Sequence, residues 1–236
     1  KTAMLSVLPL PGEPLEIERA NARSFVEAKI ILHKKLIQKG TSSEYGVVMH
    51  KKIGSHNIFV WELDNIDTFK EEVTAYVADK YNNAATALIT DKTLKTVKQY
   101  FDKGFRYFAF DLTEVNTEVR TKEAIAYRFK STYAYYPLAI SAIGGTGRSV
   151  VDLVVMTPGQ IRLSKDFEQE AKSKDVTVRW VGNTSVNFTM DEVQSLDSKL
   201  SKVFNSNGLN SVIVRNFIFA IKDIGNFNAD FGAVAP

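Results

Sequence analysis

The run Gly144-Gly145-Thr146-Gly147-Arg148-Ser149 has the composition of a phosphate-binding loop, with small residues whose amides can approach an anion and a cation beside them. A P-loop places Gly-x-x-x-x-Gly-Lys-Ser/Thr between a strand and a helix whose first amides point at the phosphates. Here the glycines are too close together and Arg148 stands in the place of the lysine. The segment that follows, SVVDLVVMT, is β-branched and reads as a strand, so no helix N-terminus faces the loop. A dinucleotide-binding turn fails for want of the same helix. The run is therefore expected to be a glycine-rich hairpin turn.

Three carboxylates, Asp111, Glu114 and Asp152, fall on or beside expected strands. Asp152 interrupts VVDLVV, and an acid held among apolar neighbours can transfer protons at a raised pKa. The competing expectation is a structural pair with a basic residue of the next strand, for which Arg128 is the candidate. His50 and His56 flank KKIGS and, with Glu44, could offer imidazole and carboxylate to a metal. The two could face one another across the hairpin, but no metal-binding spacing is present and two lysines lie between them. They are read as exposed strand or loop histidines, with His33 in the first helix. No serine sits in a Gly-x-Ser-x-Gly elbow, and no catalytic, cofactor-binding or metal residue is assigned.

YRFKSTYAYYPL mixes Arg128 and Lys130 with Tyr127, Phe129, Tyr133, Tyr135 and Tyr136, the residue types that stack bases and meet phosphates. Strand alternation puts Ile125, Tyr127 and Phe129 on one face and the two cations on the other. That is the pattern of a half-buried strand rather than a stacking platform. Asn183-Thr184-Ser185 and Asn187-Phe188-Thr189 are two glycosylation acceptor sequences, relevant to an exported chain.

The elements that must hold these residues follow from periodicity. SVLPLPGEPLEIE, with three prolines, reads as an extended lead-in. Ser24-Phe25-Val26-Glu27 is a capping box opening a helix over 24–39 that Gly40 stops. YGVVMHKKI and NIFVWEL form two strands joined at Gly54-Ser55. A helix capped by Asp64 or Asn65 runs to Tyr81, burying Ile66, Phe69, Val73 and Val77, and another covers 91–103. Strands are expected at 105–115, 124–131, 135–141, 150–157 and 161–163, followed by the pair VTVRWV and SVNFT. Thr189-Met190-Asp191-Glu192 is a second capping box, with Met190, Val193, Leu196, Leu200, Val203 and Phe204 as one apolar stripe behind it. SVIVRNFIFAI is a long apolar strand. The fold class is α+β, with mixed, largely antiparallel sheets and about four amphipathic helices packed on one side. The division falls at Pro158-Gly159, giving an α+β domain over 1–157 and a smaller α+β part over 158–236 on the same core.

The chain has 236 residues, 30 Lys and Arg against 27 Asp and Glu, and no cysteine. The near balance of charge argues against a dedicated nucleic-acid binder. The missing thiols exclude disulfides, thiolate nucleophiles and Cys-built metal centres. No apolar run reaches the roughly 18–20 residues of a membrane helix.

Three segments in order, HKKIGSHNIFVWELDNIDTF, VKQYFDKGFRYFAFDLTEV and AYRFKSTYAYYPLAIS, resemble a family of exported archaeal and bacterial proteins known only as a domain of unknown function. The resemblance spans about residues 8–157. It implies a location outside the cytoplasmic membrane, with a signal peptide removed, and carries no catalytic residue. The expected function is a non-enzymatic, extracytoplasmic structural or interaction component, self-assembling or bound to other envelope proteins. SVIVRNFIFAI, if at a sheet edge, and the tails KTAMLSVLPLPGEP and NFNADFGAVAP are the expected contacts. The alternative is a surface enzyme or solute-binding module with a cleft near Asp152, Arg128 and the 144–149 loop, where Arg148 is a third candidate contact.

Overall fold

The computed structural model describes residues 2–19, 47–80, 89–115, 125–180, 186–205 and 207–235. The helix expected over 24–39, His33, Glu44 and Asn183 lie outside these residues. The fold is mixed α and β with antiparallel sheets, and five α-helices are present among the described residues. The chain divides into two compact units, residues 1–19 with 35–130, and residues 20–34 with 131–236.

In the first unit β1 (Thr2–Leu10), β5 (Tyr107–Val115), β4 (His56–Glu62) and β3 (Val47–Ile53) form an antiparallel sheet in that order. The proline-rich opening is thus a strand, not a lead-in. Pro9 is tolerated because β1 is a sheet edge, where a missing N–H breaks no inner ladder. It is paired over Thr2↔Val115 to Leu10↔Tyr107, so the N-terminal tail is part of its own sheet rather than an arm for a neighbour. β2 (Pro14–Arg19) and β6 (Ile125–Phe129) form a separate two-stranded ribbon.

β4 is buried along almost its whole length, because both of its faces are covered. Ile58 and Val60 pack with Leu10, Ile17, Ile53 and Ala109, against Ile125, Tyr127 and Phe129 of β6. The face expected for these three β6 residues is the observed one. Phe59 and Trp61 point the other way, to Tyr76 of α1 (Ile66–Lys80), with ring centroids 4.8 and 5.9 Å apart. Phe69 of α1 meets Phe108 and Phe110 of β5. Asn65 Oδ1 accepts from the Asp67 amide at the start of α1, as a cap should. α2 (Asp91–Asp102) follows, capped by Thr90. The β3–β4 turn is Gly54-Ser55, with Ile53 opposite His56 and Gly54 at φ 57°. Positive φ at the first central position is where glycine is favoured in a two-residue hairpin.

The second unit contains β7 (Ala134–Tyr136), β8 (Ser149–Thr157), β9 (Arg162–Leu163), α3 (Lys165–Ser173), β10 (Thr177–Trp180), β11 (Val186–Thr189), α4 (Met190–Leu196), α5 (Ser198–Asn205), β12 (Ser211–Ile221) and β13 (Phe231–Val234). β8 runs along one edge of β12 from Thr157↔Ile213 to Ser149↔Ile221. β11 and β10 share the other edge, pairing with residues 211–214 and 217–220. VTVRWV and SVNFT are therefore not a pair with each other but two short partners of one long strand. β12 is internal, so the condition under which it would pair between subunits, a place at a sheet edge, is not met.

Alternation sorts the β12 side chains. Phe217, Phe219 and Ile221 join Phe167 of α3, Phe227 and Phe231 in one core. Val212 and Val214 face the opposite way, with Val154 and Met156 of β8, toward Val193, Leu200 and Phe204 of α4 and α5. Phe231 lies in β13, which is the middle strand of the sheet β7-β13-β9, so the C-terminal tail also belongs to its own unit. The expected capping box is present, with Thr189 Oγ1 accepting from the Glu192 amide and Glu192 Oε2 from the Thr189 amide. The stripe behind it is two helices rather than one, because Asp197 is extended and its carboxylate accepts the Lys199 and Leu200 amides at the start of α5. The expected boundary at Pro158-Gly159 falls inside this unit, where β8 and β12 pair across it.

Candidate functional site

The glycine run is a turn, but not a hairpin. β7 ends at Tyr136, before Pro137, and a 3-10 turn over Ala139–Ala142 replaces the rest of the strand expected over 135–141. Asp230 accepts from the Ala139 amide at 2.9 Å and from the Tyr135 hydroxyl at 3.0 Å, fixing this change of direction. The loop then folds against a second 3-10 turn, Ile224–Asn226. Asp223 Oδ1 accepts from the amides of Gly147 and Gly225, and the Ile224 amide donates to the Gly147 carbonyl. A β-carbon on Gly145 would lie 2.6 Å from Ile224 Cγ2 and 2.8 Å from the Ser141 carbonyl oxygen. Close backbone approach accounts for that glycine. The Gly147 amide that an anion would use points to Asp223, so the loop is an internal clamp.

Asp152 is exposed on β8, not held in an apolar sheet, and accepts from Asn216 Nδ2 of β12 at 2.6 Å. Arg128 stands on β6 in the first unit, opposite Glu16 in the ribbon. Arg148 is exposed immediately before β8 in the second unit. Arg148 and Asp152 therefore flank one short exposed stretch, while Arg128 belongs to the other unit.

The histidine reading is corrected for His56. His50 lies opposite Phe59 and His56 opposite Ile53, so the two imidazoles do not face one another across the hairpin. His56 is 5% exposed, and its Nδ1 lies 2.6 Å from Asp111 Oδ2. Thr113, itself buried, donates from Oγ1 to Asp111 Oδ1 at 3.3 Å. His56 shares the sheet face of Ile58 and Val60, while Asp111 and Thr113 share that of Ala109, so the cluster lies on the side covered by β6. An imidazole oriented by a carboxylate is the working half of many acid–base sites. At this burial a substrate has no access to it, and the pair acts as a tie between β4 and β5. Among the described residues no group of three His, Asp or Glu is arranged to hold a metal ion.

Tyr127 of β6 stands close enough to this cluster for charge to matter. Burial pushes its hydroxyl above the ordinary tyrosine pKa, and the Asp111 charge adds to the rise. An unfolded tyrosine ionises near pH 10, so the stabilisation is fully present below that value and is lost as pH rises beyond it. Wild-type protein is expected to lose about 1.4 kcal/mol per pH unit more than Tyr127→Phe above about pH 10. Urea midpoints of the two proteins, compared from neutral to alkaline pH, measure the difference.

Asn187, the described glycosylation candidate, is exposed on β11 opposite Ile213. The hydroxyl of Thr189, the third residue of its sequon, is engaged with Glu192 as the cap of α4.

The feature that sequence reading missed is the outer edge of β8. Among the described residues no strand is hydrogen-bonded to that edge. Val150 is 60% exposed, the largest exposure among the described large hydrophobic side chains. Its signal was SVVDLVVMT itself, a long apolar strand read for what it excluded in the loop before it and for Asp152, but not as a sheet edge. A scan against protein-family models, a search of curated proteins and a search of solved structures each find no match.

Proposed function

We propose that this protein is a non-enzymatic structural or interaction component of the cell surface that assembles with copies of itself. The observation that carries the reading is β8, a nine-residue strand with one edge paired to β12 and apolar surface exposed beside the other. Such an edge is a template for another strand, and chains that remain monomeric blunt it with charge, proline or a bulge. β8 carries one charge, Asp152, and no proline. The extracytoplasmic location is supported by the resemblance to an exported family and by the exposed sequon at Asn187.

Size-exclusion chromatography with light scattering, backed by negative-stain images, tests the reading on native material. Masses at multiples of the single-chain mass, read from the same material under denaturing conditions, are expected, growing with concentration. A single species of that mass at every concentration overturns self-assembly.

A further inference from the structure

We propose that the partner of β8 is β8 of a second copy, paired antiparallel about a twofold axis at Val150. This rests on the self-assembly reading and adds its partner, strand and register. A twofold contact uses one surface patch twice, so a candidate strand must be complementary to itself. The stretch from Arg148 to Asp152 meets that condition.

Side chains alternate along β8. The odd positions Val151, Leu153 and Val155 pack into the phenylalanine core. On the other face Val154 and Met156 are taken up by α4 and α5, while Val150 and Asp152 are exposed, as is Arg148 just before the strand. The first half of this face has the more surface left to bury, since Val154 and Met156 are already partly buried. An antiparallel pairing centred on Val150 uses that half from both copies. It sets Val150 against the partner's Val150, Arg148 against the partner's Asp152, and Asp152 against the partner's Arg148.

Neighbouring registers are worse on the same grounds. Centring on Asp152 places two carboxylates directly opposite, which is destabilising. Centring on Leu153 puts Asp152 against the partner's Val154, whose side chain is packed toward α4 and α5. The Val150 register alone joins opposite charges at both ends of an apolar centre. Asp152 keeps its bond from Asn216 there, since that bond lies on the β12 side of the strand.

Charge exchange at Arg148 and Asp152 tests the register, with association measured by sedimentation velocity and light scattering over a dilution series. Arg148→Asp and Asp152→Arg are each expected to weaken association about tenfold, because each places like charges at both ends. The double variant Arg148→Asp/Asp152→Arg should restore it. Val150→Lys, which sets two ammonium groups on the axis, should abolish it without touching either charge. Circular dichroism confirms that each variant is folded, and Arg148→Asp and Val150→Lys alter exposed positions without touching the Asn216–Asp152 bond. Wild-type assembly that all four variants leave unchanged overturns the β8 contact and leaves self-assembly standing. Failure of the double variant to recover overturns the register. A wild-type chain that stays monomeric throughout overturns both readings.

Discussion

Phe231→Ala is expected to destabilise the second unit by about 3–5 kcal/mol, the usual cost of emptying a buried aromatic site. The ring is 1% exposed and lies 5.9 Å from Phe167, 5.5 Å from Phe217 and 5.8 Å from Phe219, centroid to centroid. Those partners come from α3 and β12, so the cavity would open where a helix, the long central strand and the C-terminal strand meet. Local collapse is hindered because β13 is held on both sides, by β7 and by β9. Denaturant unfolding followed by near-UV circular dichroism gives the change directly. The result also decides what the tail is for. Full stability with loss of assembly would make residues 227–235 an arm reaching into a neighbour. A large loss of stability makes them core, and leaves β8 as the contact proposed for other copies.

Local elements were legible wherever one residue type had one physical meaning. Thr189 and Glu192 formed their capping box because the two side chains satisfy amides within the same turn. Gly54-Ser55 made the expected hairpin turn, and Phe69, Val73 and Val77 lined the buried side of α1. Short, charge-rich elements were harder. α3 was not among the expected helices, since only Phe167 and Ala171 are buried in it. Ser164 accepting from the Phe167 amide, with Asp166 and Glu168 in the first turn, was the readable start signal. Asp197 was hidden for the opposite reason. The apolar stripe runs on past it at helical spacing, while its carboxylate caps a new helix.

Partnership between strands was not legible. SVIVRNFIFAI reads equally well as an edge or a centre, because a continuous apolar run states only that both faces are covered. Its neighbours β8, β10 and β11 come from residues 149–189, and nothing local says that two short strands share one edge while a long one takes the other. The same limit hid His56 and Asp111, which are 55 positions apart. Parity could have narrowed the search. Starting the strand at His56 rather than Asn57 puts the imidazole on the inward face of Ile58 and Val60, and Asp111 takes the face of Ala109. Two ionisable residues on inward positions of adjacent strands need each other, because a buried polar group without a partner is costly.

That need sets the last expectation. Asp111→Ala is expected to cost the first unit about 2–4 kcal/mol, more than a surface charge change, because it removes the acceptor from a buried imidazole. The side chains of His56 and Asp111 are 7% and 16% exposed, so water can replace the lost carboxylate only in part. Thr113 Oγ1 loses the same acceptor. Removing both polar groups should cost less than removing one. His56→Leu/Asp111→Leu removes the imidazole along with its carboxylate and leaves only the Thr113 hydroxyl without that acceptor, and well-packed apolar replacement of a buried pair is often neutral. Urea unfolding of the single and double variants forms a cycle in which the double variant should be more stable than Asp111→Ala. If Asp111→Ala instead keeps wild-type stability, the pair is not a structural tie. Its burial would then have to open in some state that presents the imidazole, and the first unit would become the place to look for chemistry.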